Sequence, residues 1–208
     1  MPANDIALFA KWSRDRDAEA FKEIASRYAP MVYGTCNRIL RDGSEAEDAA
    51  QECFAKLAFS PKGPKEHLGA WLHAVATTSC LAIVRSEKRR KVRESQFALE
   101  HSPDAAIQWD DVSSHIDEVI ADLPERLRVP IVLHFFEDET HDAIARRLGV
   151  SRTTVTYRIQ KAIELIRKRL QRRGLVVVGS ALAAMMTANL TAEAAPKALT
   201  VALAKVAL

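Results

Sequence analysis

Residues 141–161 read HDAIARRLGVSRTTVTYRIQK, and this stretch decides the fold. Ile144, Ala145 and Leu148 fall on one face of a short helix, and Gly149 supplies the backbone freedom of a sharp turn. Ser151 then stands where an N-cap is needed, its hydroxyl placed to accept from an orphan amide. Beyond it Val155, Ile159, Ala162, Ile163, Ile166 and Leu170 recur at helical spacing, so a second, longer helix follows. Arg152, Thr153, Thr154, Thr156, Tyr157, Arg158 and Lys161 point away from that apolar stripe. Such a pair is a helix-turn-helix whose second helix fits a DNA major groove. Plain helical bundles also contain such turns, but the basic outer face, continued to Arg173, argues for a polyanionic partner.

Charge distribution supports this reading. The net charge of +3 over 208 residues is uninformative by itself, but its distribution is uneven. Basic residues crowd into 85–93 and 146–173, and acidic ones into 94–125, among them Asp104, Asp110, Asp111, Asp117, Glu118 and Asp122. Two basic surfaces separated by an acidic connector point to a polyanionic partner and a segment that must stay off it. Cys36, Cys53 and Cys80 have neither zinc-ligand spacing nor an even count, so buried thiols in a reducing cytoplasm are expected. The N-terminal residues carry charge too early for a signal peptide.

Upstream, the pattern is helical almost throughout. Ala18, Phe21, Ile24, Ala25, Tyr28, Val32 and Ile39 mark a helix over 17–40, with Pro30 as a kink or a start. Asp42-Gly43 reads as a turn, and Ser44 with Glu47 has capping-box spacing for a helix over 44–59. Residues 60–66 (SPKGPKE) form a loop. From His67 a long helix carries Leu68, Trp71, Leu72, Val75, Ala76, Leu81 and Val84. The expected architecture is all-α: a first unit over 5–93, an acidic linker over 94–111, a helix-turn-helix unit over 112–173, and an apolar tail over 174–208.

Taken together, AFKEIASRYAPMVYGTCNRIL (20–40), AEDAAQECFAKL (46–57) and HLGAWLHAVATTSCLAIVRSEKRR (67–90) resemble the N-terminal domain of the extracytoplasmic-function sigma factors of bacteria. Residues 120–170 resemble the C-terminal domain of the same family, so the likeness covers about residues 5–173. It implies an alternative sigma factor that binds core RNA polymerase and promoter DNA and has no catalysis or cofactor of its own, with an anti-sigma factor as a further candidate partner that the sequence does not identify. By that resemblance Asp48, Gln51 and Glu52 face the polymerase clamp. The minus-ten element is captured by the 60–68 loop and the helix after it, through Lys62, Lys65, Thr78, Arg85, Lys88, Arg89 and Arg90. Single-stranded bases require a positive groove with pockets or stacking surfaces. The chain departs from the family at Thr77, Thr78 and Ser79, where an asparagine is frequent, so an altered minus-ten preference is expected. Ser151, Arg152, Thr153, Thr154, Thr156, Tyr157, Arg158 and Lys161 meet the minus-thirty-five element. There an arginine can pair bidentately with guanine and a threonine methyl can pack on thymine.

The competing class is a plain DNA-binding regulator that uses the second unit alone. The tail has three readings. Residues 175–192 are uncharged and just long enough for a membrane contact, a regulatory hairpin folding back on the DNA-binding units, or an extension of the core. No catalytic set, P-loop or metal cluster is visible, and His134 and His141 read as surface-turn histidines.

Overall fold

The computed structural model describes residues 5–60, 67–94, 108–190 and 195–206, with side chains given except at 89–94 and 204–206. The first unit begins with α1 (Asp5–Asp15) and α2 (Ala18–Leu40). Asp17 caps α2, its carboxylate accepting from the amides of Glu19 and Ala20 at 3.0 and 3.2 Å. Pro30 sits inside a continuous helix. The carbonyl it leaves without a donor belongs to Ser26, an exposed residue, so the loss is tolerated there. Arg41 closes α2 in the left-handed conformation, at φ 57°.

Asp42 then accepts from the amide of Glu45 at 2.9 Å and caps α3 (Gly43–Ala58). The cap is therefore Asp42 and not Ser44, because a carboxylate one turn ahead of Glu45 reaches the orphan amide first. The next helix, α4 (Leu68–Glu94), is the core of the unit, with Leu68, Leu72, Ala76 and Cys80 wholly buried against Phe21, Ile24, Tyr28, Val32 and Phe54. All three cysteines are buried and free. Trp12 ties α1 down, its indole N–H donating to the carbonyl of Ala58 at 3.2 Å.

The second unit comprises α5 (Trp109–Ala121), α6 (Glu125–Phe135), α7 (His141–Leu148) and α8 (Arg152–Gln171). Its interior is built from Val112, Ile116, Ile120, Ile131, Leu133, Ile144, Val155, Ala162, Ile166 and Leu170. The acidic stretch is not all connector: Asp110 to Ala121 lie in α5, and Asp117 is buried. Nor do the two units stand apart. Helix α5 packs on α2 and α4, α6 packs on α4, and one apolar cluster runs through both units.

The tail folds back. Helix α9 (Gly179–Asn189) lies on α8 and buries Leu182 and Met186; α10 (Lys197–Val206) lies on α2 and α3 and buries Leu199 and Leu203, four residues apart on one face. A membrane contact through 175–192 is not supported: α9 has 11 residues where a span needs about 20. Among the described residues only 68–88 of α4 is long and apolar enough to cross a membrane, and its apolar side is the core just described. Leu199→Asp places a charge against α2 and α3, so amides of α10 should lose hydrogen-exchange protection while those of α4 keep theirs. Unchanged protection of α10 would contradict the docked position.

Candidate nucleic-acid interface

The turn between α7 and α8 is built as its residues require. Thr140 caps α7 through the amide of Ala143, and Gly149 takes φ +63°, the left-handed conformation that a Cβ would strain. Val150 sends its N–H back to the carbonyl of Ala145 at 3.1 Å. Ser151 Oγ accepts from the amide of Thr154 at 3.1 Å, so α8 starts rigidly from the turn. On α8, Arg152, Thr153, Tyr157 and Lys161 are exposed; Thr153, Tyr157 and Lys161 run along one side, Tyr157 retains 60% of its surface, and Arg152 lies 3.7 Å from the Asp142 carboxylate. The Lys161 ammonium lies 5.5 Å from the Tyr157 ring centroid and pre-orders that pair. Thr154 is half-buried; Thr156 is also half-buried, beside His141 Nδ1 at 3.0 Å. Arg158 is half-buried too, at the edge of a cleft lined by His67, Glu125 and Leu148.

This placement orders the expected mutational effects. Arg152→Ala should cost about 1–3 kcal/mol of binding, concentrated at one base position. Arg158→Ala should cost less, because its guanidinium starts from a cleft between helices. Binding to a library of duplexes checks both; a loss spread evenly over all sequences would mark Arg152 as a phosphate contact only.

The second candidate surface is on α4. Thr78, Ala82 and Arg85 are exposed at helical spacing, and Lys88 is exposed near them. Of Thr77, Thr78 and Ser79, Thr77 is buried, Ser79 accepts from the Lys56 ammonium at 2.9 Å, and Thr78 alone faces solvent. Its hydroxyl bonds the carbonyl of Ala74 at 2.7 Å. Arg89 and Arg90 continue the helix, with side chains outside the described set; Lys62 and Lys65 lie outside the described residues altogether. Trp71 is half-buried against the core.

The third surface is on α3. Asp48 and Glu52 are exposed one turn apart, with Gln51 half-buried beside them, and Phe59 follows on the same side with 75% of its surface open. Glu52 pairs with Lys56 at 2.8 Å, an exposed pair of little energetic weight.

Two polar clusters join the units, and neither stood out in the sequence. In one, Asp117 of α5 accepts from Arg38 Nε and Nη2 of α2, both at 2.9 Å, and from His73 Nε2 of α4 at 3.0 Å. Phe136 roofs it, its ring 5.4 Å from the Arg38 guanidinium and edge-on to His73 at 4.8 Å. Burial pushes the Asp117 carboxyl up, but Arg38 and His73 outweigh it and hold the group below its usual range. In the other, Arg147 of α7 bridges Asp5 of α1 at 3.0 Å, Glu137 at 3.1 Å and Glu139, while Asp5 also accepts from Tyr28 at 2.8 Å and pairs with Arg27. Burial dominates at Glu137 and pushes its carboxyl up to about 7. Gly69 makes this contact possible: a methyl there would overlap the Glu137 carboxylate and meet Tyr28 Cε1 at 2.9 Å.

Residues 24–90 match the family model of sigma-70 region 2, and residues 114–166 that of sigma-70 region 4. The ECF RNA polymerase sigma factor SigK of Mycolicibacterium vanbaalenii is 30% identical over 170 residues, covering 74% of this chain and 83% of that one. The RNA polymerase sigma-H factor of Pseudomonas aeruginosa is 30% identical over 171 residues, with 74% and 88% covered. The ECF RNA polymerase sigma factor SigW of Bacillus subtilis is 27% identical, with 74% and 91% covered. The matched stretches of both models end before the tail.

Proposed function

The chain belongs to the extracytoplasmic-function group of the sigma-70 family, and from that membership we propose how its three surfaces divide the work of starting transcription. As an alternative sigma factor it binds core RNA polymerase and directs it to particular promoters. In the proposed division, Asp48, Gln51 and Glu52 on α3 meet a basic helix of the polymerase. The exposed side of α4, from Thr78 to Lys88, holds the opened minus-ten strand, and Lys62, Lys65, Arg89 and Arg90 are assigned to the same contact from the sequence resemblance. The start of α8, from Ser151 to Lys161, enters the major groove at the minus-thirty-five element. Ser151 and the α8 N-terminus suit a phosphate, where orphan amides and the helix dipole both favour negative charge. The chain contributes binding and strand capture, and the polymerase contributes the chemistry. Its place of action is the cytoplasm, where polymerase and chromosome are.

One observation supports this most: a helix-turn-helix shares the chain with a second helical unit that exposes an acidic face on α3 and a basic face on α4. A regulator that only binds DNA needs the helix-turn-helix and neither of the others. Titrating labelled full-length chain with purified core polymerase separates the two. Saturable one-to-one binding is expected; tight binding to duplex DNA with none to polymerase would favour the plain regulator.

A further inference from the structure

We propose that Thr156 selects a thymine in the minus-thirty-five element, offering the base its methyl group because its hydroxyl is held within the protein. The proposal rests on the promoter reading above and adds to it the identity of one base.

Two hydrogen bonds dispose of the Thr156 hydroxyl. Its oxygen lies 3.1 Å from the carbonyl of Arg152, one turn back on α8, and 3.0 Å from Nδ1 of His141 on α7. Its single proton goes to that carbonyl or to that ring nitrogen, whichever tautomer His141 adopts, and none is left to donate to a base. A threonine on a helix ordinarily populates two rotamers, and bonds to both partners hold Thr156 in one. His141 is itself fixed: its ring is edge-on to that of His134 at 4.8 Å, and His134 Nδ1 lies 3.0 Å from the carbonyl of Glu139. What Thr156 has left for a partner in the groove is its methyl.

The other two threonines at the start of α8 differ. Oγ1 of Thr153 and Oγ1 of Thr154 each lie 2.8 Å from Ser151 Oγ, which also accepts from the Thr154 amide. With one lone pair spent on that amide, the serine takes the proton of one threonine and gives its own to the other. One of Thr153 and Thr154 therefore keeps a proton for a phosphate or a base edge, and Thr156 keeps none. In the major groove thymine alone presents a methyl, and a threonine methyl packs on it. Thr156 is one turn beyond Arg152, a rise of about 6 Å, so the thymine lies within about two base pairs of the position that Arg152 controls.

The test uses the full chain with core polymerase and a duplex selected from a randomised minus-thirty-five library, its binding read by fluorescence anisotropy. Each thymine on either strand is replaced in turn by deoxyuridine, which lacks the methyl and keeps every hydrogen-bonding group. One replacement is expected to weaken wild-type binding about fourfold, the worth of one buried methyl group. Thr156→Val keeps the methyl and should retain that sensitivity. Thr156→Ser keeps the hydroxyl and should bind the thymine and deoxyuridine duplexes equally. Deoxyuridine without effect at any position, or a sensitivity that survives in Thr156→Ser or is lost in Thr156→Val, would overturn the proposal and leave the promoter reading in place. Selection of no duplex at all would remove the promoter reading, and the proposal with it.

Discussion

Asp117→Ala is expected to destabilise the packed chain by about 3–5 kcal/mol, the cost of leaving a buried cation without its partner. The Arg38 guanidinium is largely buried, with 14% of its side chain exposed, and loses both of its charge-assisted bonds to α5. His73 is completely buried and loses the acceptor for its ring N–H. Asp117→Asn keeps the shape and one acceptor, so its cost should be smaller. The urea midpoint of the three proteins measures this, together with exchange protection of the α5 amides, which should fall first. The pH dependence has a definite sign. Because the folded carboxyl is held below its usual value of 3.8, the stabilisation is complete above that value and disappears as pH falls through the folded pKa. Wild-type and variant stabilities should therefore converge only in acid. A variant within 1 kcal/mol of wild type at neutral pH would show that the cluster carries little of the packing.

Reversing charge on α3, with Asp48→Lys and Glu52→Lys together, is expected to weaken core-polymerase binding about 100-fold or more, since like charges placed across an interface cost several kcal/mol. Both side chains are exposed and bond to nothing that holds the fold, apart from the weak pair of Glu52 with Lys56. Thermal stability and binding to a minus-thirty-five duplex should consequently be unchanged. That split is diagnostic: an equal loss of polymerase and DNA binding would point to misfolding, and no loss of either would remove α3 from the polymerase interface.

Much of the fold was legible because it is written in helical periodicity. Val155, Ile159, Ala162, Ile166 and Leu170 all turn inward on α8 as their spacing requires, and Ser151 caps it. On α3 the inward set of Ala46, Ala49, Ala50, Cys53, Phe54 and Leu57 is likewise buried. Periodicity is silent on long-range polar pairing, which explains what went unread. Asp117 looked like one acid among many in a connector, because nothing local reveals that Arg38, 79 positions earlier, folds against it. Gly69 gave no signal either, since its role is set by Glu137 on another helix-turn junction. The same limit applies to the tail. Its composition permitted a membrane contact, and only the packing of Leu199 and Leu203 on α2 and α3 shows where its apolar face goes. At the candidate site, periodicity set the polar residues of α8 apart from its inward stripe, and the structure leaves Arg152, Thr153, Tyr157 and Lys161 exposed but Thr154, Thr156 and Arg158 half-buried. Periodicity could not separate open Arg152 and Tyr157 from Arg158, whose exposure is reduced by α6 and α7.

The most direct test is run-off transcription with purified core polymerase and the full-length chain on a randomised promoter library. Discrete transcripts that core polymerase alone does not make are expected, from templates sharing two short elements. Arg152→Ala should alter the upstream element, and charge reversal at Asp48 and Glu52 should abolish every transcript. No transcripts above those of core polymerase, with the chain still binding duplex DNA by itself, would contradict it.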